Sequence, residues 1–90
     1  MLVISGLSVT ERRDNGTCII YIDELNWKRV PQLFFGSLQT YRQYLVQHEI
    51  GHCLGYDHVP ATDHGACPVM YQQTRGTHRC MANPWQVSPL

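Results

Sequence analysis

The chain has 90 residues, which is enough for one small domain and too few for two. Hydrophobic residues make up 43% and charged residues 16%, a composition typical of folded rather than disordered chains. Seven basic residues balance seven acidic ones, so no basic excess supports nucleic-acid binding. No stretch approaches the roughly 18 apolar residues of a transmembrane helix, and the apolar start lacks the basic region of a signal peptide.

The first 25 residues predict a small, mainly antiparallel sheet. Residues 2–10 are apolar and rich in β-formers. Asn15-Gly16 is a strong hairpin pair, and residues 18–22 form the best strand of the chain because they are β-branched and aromatic. Residues 23–36 are expected to be irregular, since Pro31 limits any helix there.

A long helix is predicted next, with Ser37 as its N-cap. Five positions then recur at steps of three or four, the spacing of one helix face: Leu38, Tyr41, Leu45, His48 and His52. The helix is expected to run to about Leu54, because Gly55 can take the positive φ that ends helices. The segment after His58 is mostly loop, so a disulfide, a metal ion or both must hold it.

The motif that carries chemistry is HEIGHCLGYDH, which begins at His48. His48 and His52 lie about 40° apart around the predicted helix, so both rings can reach one ion. Gly55 permits a sharp turn that brings His58 back as a third ligand. Three neutral histidines leave a fourth zinc position open, as in catalytic zinc sites. Glu49 is rotated about 100° from His48, which places it beside the ligands, where a general base belongs.

The longer pattern H-E-x-x-H-x-x-G-x-x-H, followed by a methionine turn, is the metzincin signature, and the chain resembles these metallopeptidases. Met70 would supply the Met-turn, with Met81 as the weaker candidate. The chain is more similar still to an actinobacterial family of secreted, metzincin-like domains of unknown function. The matching segments are residues 41–46, 68–70, 72–74 and 83–85.

This resemblance implies a zinc metalloendopeptidase with one Zn²⁺ per chain, held by His48, His52 and His58. Glu49 would take a proton from the attacking water and return it to the leaving amine. The partner would be a peptide or protein substrate, extended along an edge of the sheet. We expect a secreted or extracytoplasmic monomer. Asp57, Asp63 and backbone carbonyls are the alternatives for orienting the ligand rings.

The expected fold class is α+β: a small antiparallel sheet, one long zinc-binding helix and an irregular C-terminal tail around the Met-turn. We expect a single metzincin-like domain over residues 1–90, truncated at its N-terminus relative to the usual catalytic domain. Only 47 residues precede His48, and none predicts the usual backing helix. A fragment, a mis-started reading frame and a minimal version stay open. Gln72 stands where some metzincins have a zinc-contacting tyrosine, so no tyrosine role is carried over.

Four cysteines allow three complete pairings, and an even count favours an oxidising compartment. We favour a bridge between Cys67 and Cys80, which would contribute on the order of 3 kcal/mol to the loop-rich tail. Cys53, inside the predicted helix, is expected to be a free buried thiol. A second, structural zinc site built from Cys67, Cys80, His64 and His78 is a weaker alternative because its spacing is poor.

Two other function classes stay open beside the peptidase. A catalytically silent zinc-binding or peptide-binding domain is favoured by the short N-terminal half, whereas the intact Glu49 favours the enzyme. A disulfide-stapled interaction module with incidental histidines would lose little structure when a chelator is added.

Overall fold

The structure is a computed structural model that describes residues 2–4, 8–22, 24–76 and 80–85. Within these ranges the elements are three strands, a one-turn helix, a long helix and a 3₁₀ turn. In chain order they are β1 (Leu2–Ile4), β2 (Ser8–Arg12), β3 (Cys18–Ile22), α1 (Glu24–Lys28), α2 (Leu38–Cys53) and the 3₁₀ turn Gln73–Arg75. The predicted α+β class is confirmed. None of the helices in these ranges has the length and apolar composition needed to cross a membrane.

The sheet has the strand order β1-β2-β3, and both neighbouring pairs are antiparallel. The β2–β3 hairpin turns at Asn15-Gly16 as predicted: Arg13 N–H donates to the Thr17 carbonyl at 2.8 Å, and Gly16 has a φ of 86°. Residues 2–10, predicted as one β-rich segment, contribute β1 and the start of β2, while residues 5–7 lie outside the described part of the chain. Because β2 is the central strand, its backbone is hydrogen-bonded on both sides.

The prediction that residues 23–36 are irregular was wrong over the one-turn helix α1. Its position is set by tertiary contacts rather than by its own sequence. Tyr41 donates its hydroxyl hydrogen to the Asn26 carbonyl at 2.8 Å. Arg42 donates from Nε to the Trp27 carbonyl at 2.8 Å and stacks on the Trp27 ring. These bonds satisfy carbonyls that so short a helix leaves unpaired.

Helix α2 begins and ends as predicted. Ser37 accepts the Thr40 N–H at 3.1 Å as N-cap, and Gly55 has a φ of 98° just beyond the C-cap residue Leu54. The buried face of the helix is broader than the predicted stripe and consists of Tyr41, Tyr44, Leu45, His48, Glu49, Gly51 and His52. Its aromatic and aliphatic members form the core with Phe34, Val69 and Met70. The two histidines and Glu49 continue this buried face beyond the apolar core.

Two disulfides tie the fold together. The predicted bridge between Cys67 and Cys80 is confirmed. The prediction of a free thiol at Cys53 was wrong, because Cys53 is bonded to Cys18 and so joins the end of α2 to the start of β3. The weaker alternative of a second zinc site is also wrong, since oxidised Cys67 and Cys80 offer no thiolates. His78, its remaining member besides His64, lies outside the described residues.

A buried amide pair closes the C-terminal tail. Gln73 donates to the carbonyls of Pro68 and Asn83, at 3.2 and 2.8 Å, and accepts the Asn83 N–H at 2.8 Å. Asn83 in turn donates to the carbonyls of Cys67 and Trp85, at 3.0 and 2.6 Å. The side chains of Gln73 and Asn83 thus supply hydrogen bonds to backbone groups of the tail that no helix or sheet pairs.

Candidate metal centre

The three histidines of the motif meet at one point. The nearest ring nitrogens of His48, His52 and His58 all lie within 4.8 Å of one another. Nε2 of His52 is 3.1 Å from Nε2 of His58. Two ring nitrogens on one tetrahedral zinc ion, each at about 2.05 Å, would be about 3.3 Å apart. The His52–His58 pair therefore has the spacing of two zinc ligands, and His48 lies close enough that the three histidines could hold one metal ion.

Backbone carbonyls orient the two buried rings. His48 Nδ1 lies 2.7 Å from the Val69 carbonyl, and His52 Nδ1 lies 2.8 Å from the Tyr56 carbonyl. Because a carbonyl only accepts, each Nδ1 carries the proton, and each Nε2 of a neutral ring keeps a free lone pair. Of the predicted orienting groups, the carbonyl alternative is therefore confirmed for these rings.

His48 has an unusual orphaned atom. Its Nε2 is buried and has no hydrogen-bond partner among the described residues. Burial, together with the neighbouring His52 and His58, lowers the pKa of His48 to about 4. Burial also lowers the pKa of His58, although its side chain is partly exposed. The rings of His48 and His58 are thus held in the neutral form that metals bind, and a buried lone pair without a partner fits a metal ligand.

Glu49 is fully buried next to this cluster but is not a member of it. Its carboxylate accepts a hydrogen bond from Ser8 Oγ at 2.5 Å and another from Thr10 Oγ1. Ser8 and Thr10 are two residues apart on β2, so both side chains face α2. Sequence reasoning missed these two residues, because nothing local to β2 shows which helix residue packs above it.

The turn at residues 68–71 supports the site with three consecutive carbonyls. Val69 supplies the carbonyl that orients His48. The Met70 carbonyl accepts the N–H of Val59 at 3.2 Å, directly after His58 in the chain. The next carbonyl, that of Tyr71, accepts the hydroxyl hydrogen of Tyr44 at 3.1 Å. One short turn therefore holds both the helix and the segment that carries the third histidine.

Met70 is completely buried and its sulfur packs against Gly51 of α2, whereas Met81 is 67% exposed. The stronger Met-turn candidate is thus the methionine that packs under the helix. Gln72, which stands where some metzincins have a zinc-contacting tyrosine, is half-buried.

Comparison with protein families gives a match over residues 7–84, to the family described as protein of unknown function (DUF3152). The chain belongs to the DUF3152 family. The matched range includes the three histidines, Glu49 and Met70. The predicted similarity to a family of unknown function is confirmed, and the metzincin-like character stays a prediction. No curated protein and no solved structure matches the chain.

In this DUF3152 chain, Tyr44 is a further site residue, which lies outside the motif that begins at His48. Its hydroxyl lies 3.3 Å from His48 Nδ1, donates to the Tyr71 carbonyl and accepts the Gln73 N–H at 3.0 Å. Burial raises its pKa well above the ordinary value, so the phenol stays protonated. The signal was present, since Tyr44 precedes His48 by one helical turn.

Proposed function

We propose that this DUF3152 chain is a zinc-dependent endopeptidase of the metzincin type. The observation that carries the proposal is the convergence of His48, His52 and His58, with the buried Nε2 of His48 left without a partner. These residues would hold one Zn²⁺, and three protein ligands are the usual number at catalytic zinc sites. The Met-turn position of Met70 and the complete sequence motif add support.

When bound, zinc would polarise the peptide carbonyl and lower the pKa of water towards neutrality. Glu49 would accept a proton from the attacking water as the new C–O bond forms. It would then deliver that proton to the amine as the C–N bond breaks. A carboxylate oxygen can accept two hydrogen bonds, so the hydroxyls of Ser8 and Thr10 leave each oxygen of Glu49 with capacity for this transfer.

We further propose that the protein is a secreted or extracytoplasmic monomer that acts on peptides or proteins. Two disulfides support an oxidising compartment, where such bonds form and persist. The proposed substrate would lie extended along an edge of the three-stranded sheet and add a strand to it through backbone hydrogen bonds.

A second candidate function is a catalytically silent, zinc-binding domain that binds peptides. The observation in its favour is that Glu49 is fully buried and both of its oxygens already accept hydrogen bonds. In that case Glu49 would serve only to join α2 to β2.

Measuring zinc content and peptide cleavage together distinguishes the two functions. We expect elemental analysis to give one zinc per chain, and a mixed peptide library to be cleaved until a chelator is added. His58→Ala should lose the zinc, whereas Glu49→Ala should keep it and lose cleavage. Zinc without cleavage in the unmutated protein would favour the silent domain. Folded protein without zinc would contradict both functions.

A further inference from the structure

The carboxylate of Glu49 is held from the sheet by two hydroxyl groups, one on each oxygen. Ser8 donates to Oε1 at 2.5 Å, and Thr10 donates to Oε2. Thr10 and Glu49 are fully buried and Ser8 is 6% exposed, so solvent has little access to these bonds. We infer that Ser8 and Thr10 are positioning residues for Glu49, an inference that rests on the proposed endopeptidase function.

The two hydroxyls are attached to the central strand of the sheet, which holds them in place. Ser8 pairs with Ile22 across the ladder, and Thr10 pairs with Ile20 on one side and Val3 on the other. Since the strand cannot shift without breaking this ladder, the hydroxyls keep a set distance from α2. One bond to a single oxygen would let the carboxylate rotate, whereas a bond to each oxygen sets the plane of the group.

The composition of this contact also favours a role beyond packing. Three polar side chains occupy a buried contact between a helix and a sheet, where apolar residues would avoid the cost of removing polar groups from water. None of the hydrogen bonds made by Ser8 or Thr10 in the described part of the chain reaches a histidine of the cluster. The pair therefore acts on the orientation of Glu49 and leaves the metal ligands alone.

The consequence is a selective effect on the chemical step. A base displaced by about 1 Å can cost as much as 100-fold in rate without weakening substrate binding. Removal of one hydroxyl should thus lower kcat, while KM and zinc content stay nearly constant.

Thr10→Val and Thr10→Ser form the matched pair that tests this effect, since valine keeps the shape and serine keeps the hydroxyl. With the zinc-loaded full chain and a quenched fluorescent casein as probe, Thr10→Val should lower kcat about 10- to 100-fold, with KM within about threefold. Thr10→Ser should recover most of kcat. Thr17→Val, an exposed hairpin position, should behave as the unmutated protein. Ser8→Ala gives the same test independently, should Thr10→Val fail to fold.

A second readout does not depend on activity. In the metal-free protein, Thr10→Val should lower the thermal midpoint by about 5–15 °C, because it leaves a buried carboxylate short of a donor. In a Glu49→Met background, Thr10→Val should lower the thermal midpoint by less than about half as much. This difference isolates the contact between the two side chains.

Three results would overturn the inference: an unchanged kcat in Thr10→Val, a Thr10→Ser variant as slow as Thr10→Val, or equal thermal shifts in the two backgrounds. Failure of the unmutated protein to cleave any peptide would instead refute the proposed function. The thermal comparison would then decide by itself whether the hydroxyls hold Glu49.

Discussion

The sulfur of Met70 packs directly against Gly51, in the last turn of helix α2 and between His48 and His52 in the chain. A Cβ atom at Gly51 would overlap this sulfur and lie 3.1 Å from the Met70 methyl carbon. The missing side chain thus lets the turn at residues 68–71 approach the helix closely enough for the Val69 carbonyl to reach His48. Glycine costs about 1 kcal/mol against alanine inside a helix, and this close approach offsets that cost.

Gly51→Ala should destabilise the protein, even though alanine is the better helix former. We expect the free energy of unfolding to fall by about 1–3 kcal/mol, because fully buried Met70 would have to shift within the core to make room for the added carbon. Urea denaturation measures the change, and a competition titration should show weaker zinc binding. Combining Gly51→Ala with Met70→Ala should recover part of the zinc affinity. Gln47→Ala, a partly exposed position on the same helix, is the control for helix propensity. Stabilisation by Gly51→Ala would show that the contact is not tight.

The bridge between Cys18 and Cys53 should contribute more than the smaller one. It spans 35 residues, against 13 for the bridge between Cys67 and Cys80. Chain entropy predicts contributions of about 4 and about 3 kcal/mol. The variant with Cys18→Ala and Cys53→Ala should lose about that larger amount in denaturant unfolding. It should also bind zinc more weakly, since Cys53 follows His52 directly. A loss below about 1 kcal/mol would contradict the expectation.

Metal-free protein should lose stability as the pH falls from about 6.5 to about 4. His48 has a pKa of about 4 in the folded chain and an ordinary value of 6.5 when unfolded. Between these values the unfolded state binds a proton that the folded state does not, so acid favours unfolding. We expect His48 to account for about 2–3 kcal/mol, with the lowered pKa of His58 acting in the same direction.

Urea denaturation in the presence of a chelator, from pH 7 to pH 4, measures this slope. His48→Gln should flatten it, whereas His64→Gln, at an exposed position, should leave it unchanged. Identical profiles for the unmutated protein and His48→Gln would show that the buried ring does not control the acid sensitivity.

Gln73→Leu should be strongly destabilising. Leucine fills a similar volume but leaves the Asn83 N–H and two carbonyls without the bonds that Gln73 provides. We expect a loss of about 2–4 kcal/mol in the free energy of unfolding, measured by thermal or urea denaturation. Gln72→Leu, at the half-buried neighbouring position, is the matched control and should cost less than about 1 kcal/mol. Equal losses for the two variants would contradict a specific role of the Gln73 amide.

Local patterns in the sequence were sufficient for several features. Ser37 and Gly55 mark the two ends of helix α2, because capping residues act within a few residues of a helix end. Asn15-Gly16 sets the hairpin because the required backbone angles depend on those two residues. The four-residue spacing places His48 and His52 on one helix face through helix geometry alone.

Contacts between distant segments were decided only by the tertiary structure. The partner of Cys53 is 35 residues away, and pairing between thiols depends on which elements pack together. Helix α1 is held by side chains of α2, which override its weak local preference. Ser8 and Thr10 reach Glu49 across about 40 residues of chain. The sequence by itself determined where helix α2 begins and ends and which side chains can bind one metal ion. Only packing decided which carbonyls and hydroxyls orient those side chains. These hydrogen-bond partners are far apart in sequence, so they come together only when the helix packs against the sheet and the turn at residues 68–71.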